Sequence, residues 1–359
     1  MLYGPEIWEL QKHGGISRYY LELINRIYQL NPKTRAYIPT NNNSLAKNLV
    51  PECIVNIDQN RISTPTQINT MGELTESEFK IYHATYYGKS NYRLLKKSGY
   101  KIVVTVYDLI NENFSSKKFW ESPRINLKKR AIKFADHVIC ISETTRNDLI
   151  KFYKIPEDKV SVIYLAADLL NSLDLKVDLP TNKPFLLFVG NRDGYKNFNN
   201  FLYAFAKSKK LKTTYQVIAF GGGPFTYEEE CLIEKLECKE LVFQLSGDDE
   251  ILKFLYRAAT ALVYPSLYEG FGLPLIEAMQ LDCLVFANKG GSIPEICGDS
   301  AIFFNGLSID SICQTLELSL EDHELMNYMV LKGKLNSLRF SWEKTAIETN
   351  EIYSKFYDL

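Results

Sequence analysis

The chain has no apolar run approaching the roughly 20 residues that a membrane-spanning helix needs. Its first ten residues carry Glu6 and Glu9, where a leader would be basic and then apolar. The expectation is a cytoplasmic chain that does not span a membrane. Cysteine is sparse and lacks a pattern: seven residues, an odd number, with no Cys-x-x-Cys pair and no histidine at metal-ligand spacing. This excludes a disulfide framework and leaves reduced thiols as core filler. There is no Gly-x-x-x-x-Gly-Lys-Ser/Thr, and Gly270-Phe-Gly-Leu-Pro-Leu275 lacks the third glycine of a dinucleotide fingerprint. No Asp-x-Asp triplet occurs either, so neither a metal nor any cofactor is expected.

Excess charge is also missing overall, at −1, but the balance is uneven along the chain. Residues 1–165 hold 24 Lys and Arg against 16 Asp and Glu, or +8, and the remainder holds 18 against 27, or −9. A basic half facing an anionic partner follows, whereas nucleic acid is not indicated, because the chain as a whole is not basic. Lys117-Lys-Phe-Trp120 with Arg124, Lys128, Lys129, Arg130 and Lys133 forms the densest basic cluster. Such a cluster suits peripheral contact with anionic lipid or a lipid-linked acceptor at the inner membrane face, or else a solvated helix face.

What is present is a globular composition, 46% hydrophobic and 13% aromatic, in 359 residues, more than one core ordinarily accommodates. Short apolar runs alternate with amphipathic segments: Lys101–Val106, Val138–Ile141 and Val160–Tyr164 early, then Phe185–Val189, Tyr215–Phe220, Ala261–Tyr264 and Leu284–Ala287. That pattern reads as an α/β chain with parallel sheets covered on both faces. Residues 166–184 lack periodicity and carry Asp168, Asn171, Asp174, Asp178, Pro180, Asn182 and Pro184, which marks a linker. Asn41-Asn-Asn-Ser44 reads as a surface loop.

Two glycine segments open helices. Gly14 and Gly15 precede a face of Ile16, Tyr20, Leu23, Ile24, Ile27 and Leu30, and so sit where free amides favour an anion, or simply make a turn. In Tyr264-Pro-Ser-Leu-Tyr-Glu-Gly-Phe-Gly-Leu-Pro-Leu-Ile-Glu-Ala-Met279 a strand ends, Gly270 and Gly272 let a ligand approach the backbone, and a helix begins. Glu269 and Glu277 bracket that loop, and carboxylates accept hydrogen bonds from vicinal hydroxyls of ribose or sugar.

This Glu-x7-Glu segment resembles the signature of glycosyltransferase family 4, retaining enzymes of the GT-B fold in which two Rossmann-like domains face each other across a cleft. His13-Gly-Gly-Ile-Ser-Arg-Tyr19, Cys140–Arg146, Val189-Gly-Asn-Arg-Asp-Gly-Tyr-Lys-Asn197, Gly221-Gly-Gly-Pro224 and Gly291-Ser-Ile-Pro-Glu295 resemble family segments in the family's order. The resemblance implies an acceptor domain over 1–165, a donor domain over 185–341, and a C-terminal helix, 342–359, packing on the first half through Ile347, Ile352, Tyr353 and Phe356. It further implies that Arg192 and Lys196 clamp the donor diphosphate, that Glu277 holds ribose and Glu269 the transferred sugar, and that Phe271, Gly272 and Leu273 offer amides. Leu245, where the family has glycine, falls near the nucleobase.

On the acceptor side Tyr107 stands where the family has a histidine, followed by Asp108, and His83 is a further candidate for the cleft. The reaction implied is hexosyl transfer from a nucleotide-sugar, UDP-glucose in first place and GDP-mannose as the alternative, to a glycan or lipid-linked acceptor of surface polysaccharide. By the same resemblance the donor's own phosphate takes the acceptor proton, so no protein nucleophile is needed. A GT-B nucleotide-sugar epimerase and a non-catalytic nucleotide-sugar binding module are the rival readings.

Overall fold

A computed structural model of the chain describes residues 1–11, 14–39, 45–57, 81–88, 90–114, 123–167, 179–192 and 194–357. The chain divides into one unit of Met1–Leu165 with Ser341–Leu359 and another of Ala166–Phe340. Residues 168–178 of the expected linker and the expected loop at 41–44 lie outside the described residues.

The first unit is built on seven parallel strands: β1 (Leu2–Tyr3), β2 (Arg35–Pro39), β3 (Ile54–Ile57), β4 (Ile81–Ala84), β5 (Lys101–Val106), β6 (His137–Cys140) and β7 (Val160–Val162). They lie in the order β3-β2-β1-β4-β5-β6-β7. β1 spans only two residues, yet it is paired on both sides, Leu2 with Arg35 and with Tyr82. Helix Glu143–Tyr153 starts where the Ser142 hydroxyl accepts from the Thr145 amide at 3.0 Å, a side-chain N-cap.

Helix Trp342–Ser354 belongs to this unit and lies against helix Gly15–Leu30. Its buried face is Trp342, Thr345, Ala346, Thr349, Ile352 and Tyr353. Ile347, read from the sequence as part of that face, is instead exposed, because Trp342 and Tyr353 set the phase of the helix about 120° away from it.

The second unit has six parallel strands: β8 (Phe185–Val189), β9 (Gln216–Phe220), β10 (Val242–Leu245), β11 (Ala261–Tyr264), β12 (Leu284–Asn288) and β13 (Ile302–Phe304). Their order is β10-β9-β8-β11-β12-β13. Phe188, Phe198, Phe201, Phe205, Val217 and Phe286 fill one core between sheet and helices.

In both units the third, second, first, fourth, fifth and sixth strands follow one another across the sheet. The loops leaving the first and fourth strands part there, to opposite faces. In open α/β sheets ligands bind in the crevice outside the carboxyl ends at that switch point. The crevice lies between β1 and β4 in the first unit and between β8 and β11 in the second.

Candidate functional site

At the switch point of the second unit β8 runs into Gly190–Lys196 and β11 into the loop of Glu269. Lys196 Nζ donates to Glu269 Oε1 at 2.8 Å, with both side chains largely buried. The ammonium also lies over the rings of Tyr195 and Tyr264, 5.3 and 5.7 Å from their centroids. Burial, and after it the Glu269 carboxylate, pushes the Tyr264 hydroxyl well above its ordinary pKa, so it stays protonated beside the charge.

The loop that presents Glu269 is tied down on every side. Leu267 N donates to Tyr195 O at 2.7 Å. The Asn197 amide donates to Pro265 O at 3.1 Å and that of Asn288 to Ser266 O at 2.9 Å. Ser292 Oγ lies 3.1 and 2.9 Å from the carbonyls of Glu269 and Phe271. Gly291, at φ 56°, must be glycine, since a Cβ there would meet the backbone of Glu269 at 2.6 Å.

Gly272, at φ 100°, opens helix Leu273–Gln280 with no side chain capping it. The positive end of the helix dipole thus lies beside Gly270 and the buried Phe271, although Pro274 has no N–H and Leu275 N donates to Gly272 O at 3.0 Å. Glu277, one turn into the helix, is buried and accepts from Tyr256 Oη at 2.9 Å. Thus Lys196, Glu269, Gly270, Phe271, Gly272, Leu273 and Glu277 all belong to the two loops flanking one crevice and the helix after it.

Arg192 and Leu245 are differently placed. The three guanidinium nitrogens of Arg192 turn to the carbonyls of the Gly221–Pro224 loop and to Glu229. Of the two cations expected on one diphosphate, Arg192 is thus engaged by its own domain, whereas Lys196 lies beside Glu269. Leu245 ends β10, and its carbonyl accepts from Gly221 N at 3.0 Å.

In the first unit the crevice between β1 and β4 is filled. Glu6, 4% exposed, accepts from Tyr82 Oη at 2.7 Å, Ser90 Oγ at 2.5 Å, Thr85 N at 3.2 Å and Thr85 Oγ1 at 3.0 Å. A Cβ on Gly4 would meet the Glu6 carboxylate at 2.2 Å and one on Gly88 its Cγ at 2.4 Å, so the glycines make room for that side chain. The sequence reading used Glu6 only as a charge. A carboxylate with hydroxyl donors on another element carries no spacing signal.

Gly14 and Gly15 lie at the start of helix Gly15–Leu30. Gln11 Oε1 accepts from Ser17 N at 3.0 Å, and the Gln11 side chain lies against Gly14. His83 is corrected to a core residue: it is wholly buried, Nδ1 is 2.5 Å from Tyr353 Oη and Nε2 is 2.9 Å from Thr105 Oγ1. Burial pushes its pKa down to about 3, leaving it neutral and walled off by Tyr3, Tyr20 and Tyr353.

Tyr107 is buried as well, its hydroxyl donating to Thr85 O at 3.2 Å and its ring 6.1 Å from that of half-buried Tyr86. Asp108 follows at the carboxyl end of β5, half-buried, and accepts from Ile110 N at 3.1 Å.

The basic cluster also changes. Lys128 is no surface cation: it is 4% exposed and donates to Glu112 Oε2 and Asp108 O, each at 3.0 Å. Glu112 also accepts from Tyr153 Oη at 2.6 Å. Arg124, Lys129, Arg130 and Lys133 remain exposed on helix Pro123–Phe134, and Lys117–Trp120 lie outside the described residues. Among the described residues no helix is long and apolar enough to cross a membrane.

Residues 173–335, which hold the Lys196–Glu269 crevice, match the model of glycosyl transferases group 1, and residues 13–169 match that of glycosyltransferase family 4. This chain is a group 1, family-4-like glycosyltransferase. The epimerase and binding-only readings give way to that family membership.

Similar proteins include O-antigen chain mannosyltransferase B of Escherichia coli, 26% identical over 271 residues, 70% of each chain. O-antigen chain mannosyltransferase RfbU of Salmonella typhimurium is 31% identical over half of this chain and 49% of its own. The match to the serotype-specific mannosyltransferase WbdA of Escherichia coli spans 59% of this chain but only 28% of that longer protein. Among solved structures, HepE of Anabaena in complex with UDP-glucose superposes with a TM-score of 0.76 over 99% of both chains at 17% identity. Sucrose-phosphate synthase of Thermosynechococcus elongatus superposes with a TM-score of 0.79 over 99% of this chain and 98% of its own at 18% identity. The glycosyltransferase has the GT-B fold.

Proposed function

We propose that this glycosyltransferase moves a mannosyl unit from a nucleotide-sugar donor to a glycan or lipid-linked acceptor in surface polysaccharide synthesis, with retention at the anomeric carbon. The observation that carries the donor site is the Lys196–Glu269 pair, 2.8 Å long, at the switch point of the second unit. As the C1–phosphate bond breaks, negative charge gathers on the departing diphosphate. A preorganised ammonium and an uncapped helix start are suited to stabilise it without a divalent ion. Glu269 accepts from the transferred sugar and Glu277 from ribose hydroxyls. The acceptor hydroxyl forms the new bond to C1 and yields its proton to the leaving phosphate oxygen.

Mannose stands ahead of the glucose read from the sequence, because several of the similar proteins are named mannosyltransferases. GDP-mannose is then the first donor to assay and UDP-glucose the second. The test is release of nucleoside diphosphate from each donor, with and without glycan acceptor and with EDTA. Acceptor-dependent release from GDP-mannose that survives chelation is expected. Release from UDP-glucose alone overturns the sugar assignment, and activity restored only by magnesium or manganese overturns the metal-free site.

A further inference from the structure

Gly221, Gly222 and Gly223 have φ of 88°, 70° and 73°, three successive left-handed residues that only glycine adopts cheaply. The carbonyls of this turn converge on one side chain. Arg192 Nη1 donates to Gly221 O at 2.6 Å, and Nη2 donates to Gly223 O at 3.0 Å and Pro224 O at 2.9 Å. Nε donates to Glu229 Oε1 at 2.8 Å, and the guanidinium lies 5.0 Å from the centre of the Phe225 ring. Glu229 in turn accepts from Thr226 N at 2.8 Å and closes the capping box of helix Tyr227–Lys235. The planar fork thus caps the carbonyl end of the turn, as a cation does at a helix C-terminus.

The turn also abuts the donor crevice. It leaves β9, the neighbour of β8. Gly190 N donates to Phe220 O at 2.9 Å, and a Cβ on Gly221 would lie 3.7 Å from Gly190 O. With the carbonyls drawn to Arg192, the glycine backbone is what remains for a ligand on the open side. We infer that Arg192 and Glu229 are positioning residues that shape the Gly221–Pro224 turn as the wall for the nucleoside end of the donor, and that Arg192 does not touch the diphosphate. The inference rests on the donor-site reading above.

Nucleoside diphosphate binding, with GDP and UDP as probes, and donor kinetics are measured on the full chain. Glu229→Gln keeps a capping-box acceptor but loses the charge, and Arg192→Lys keeps the charge but loses the fork. Each is expected to raise Kd and donor KM about tenfold, the scale of a charged hydrogen bond, while kcat at saturating donor shifts less than about twofold. Gly222→Ala adds a Cβ 2.7 Å from Arg192 Nη1 and should reproduce the KM effect without altering either charge. Unchanged or tighter binding in Glu229→Gln overturns the positioning role, and a kcat loss near 100-fold in Arg192→Lys makes Arg192 a phosphate contact and overturns the inference as well. Failure of the wild-type chain to bind either probe sinks the donor-site reading and the inference with it.

Discussion

Glu6 in the first unit and Glu269 in the second both leave loops that flank the break in strand order, and both carboxylates are buried. Their partners differ in kind. Glu6 is saturated by three hydroxyls and an amide, with glycines moulded around it, so its crevice is closed by the protein itself. Glu269 has the Lys196 ammonium and the Tyr264 hydroxyl as partners beside a helix start without a side-chain cap, an arrangement that a ligand can join. One topology thus holds a fully hydrogen-bonded carboxylate in one unit and, in the other, the crevice proposed for the donor, because the residue types after the first and fourth strands differ.

The largest expected separation comes from Lys196→Ala. Loss of a preorganised charge should lower kcat by about 10²–10³-fold, and the buried Glu269 carboxylate left without its ammonium should lower the unfolding free energy as well, which urea titration reads separately. Turnover within about threefold of wild type would remove the lysine from the chemistry. The converse variant is Glu6→Ala, which strands buried hydroxyl donors and should cost about 3 kcal/mol in urea unfolding while leaving GDP or UDP binding unchanged. Weakened nucleotide binding with intact stability would erase the contrast between the units.

Acid should also tell the units apart, since both histidines with depressed pKa lie in the first. His83 is held down to about 3 and His137 to about 4, in each case mainly by burial. A folded pKa below the unfolded value near 6.5 means that the unfolded chain binds the extra proton. Stability is then full above about pH 6.5 and is lost as pH falls toward the folded values. From pH 7 to 5, His83 alone should remove about 2 kcal/mol, and His83→Gln should flatten that part of the slope. A pH dependence identical to wild type would show that His83 is solvated.

The smallest effect concerns the exposed cations: Lys129→Gln with Arg130→Gln should weaken binding to anionic vesicles by at most about 1 kcal/mol per charge. No change at low salt would mark the helix as a solvated face.

Much of this contrast was legible in the sequence on one side only. The loop after β11 announces itself through two glycines and two glutamates within ten residues, and Lys196 lies in a recognisable strand-to-helix segment. The strands of both sheets were visible where β-branched and aromatic residues run together, as in Lys101–Val106 or Phe185–Val189. The pairing of the two-residue β1 on both sides was not, since it is a property of its neighbours. Arg192 was read as a diphosphate clamp and Lys128 as part of a basic cluster because a sequence shows a charge and not its partner. The Gly221 carbonyl and the Glu112 carboxylate are brought to them by the fold. Ile347 was misassigned for a related reason: the helix phase is chosen by Trp342, Thr345 and Thr349, two of which are polar by type.

The account turns on which crevice a nucleotide enters, and hydrogen–deuterium exchange of the full chain with and without saturating GDP or UDP reads this directly. Protection is expected at 190–197, 220–225 and 265–275 in the second unit. Segments 4–11 and 84–88 beside Glu6 should exchange as in the free protein. Protection beside Glu6 with none around Lys196 and Glu269 would contradict the assignment of the donor site to the second unit.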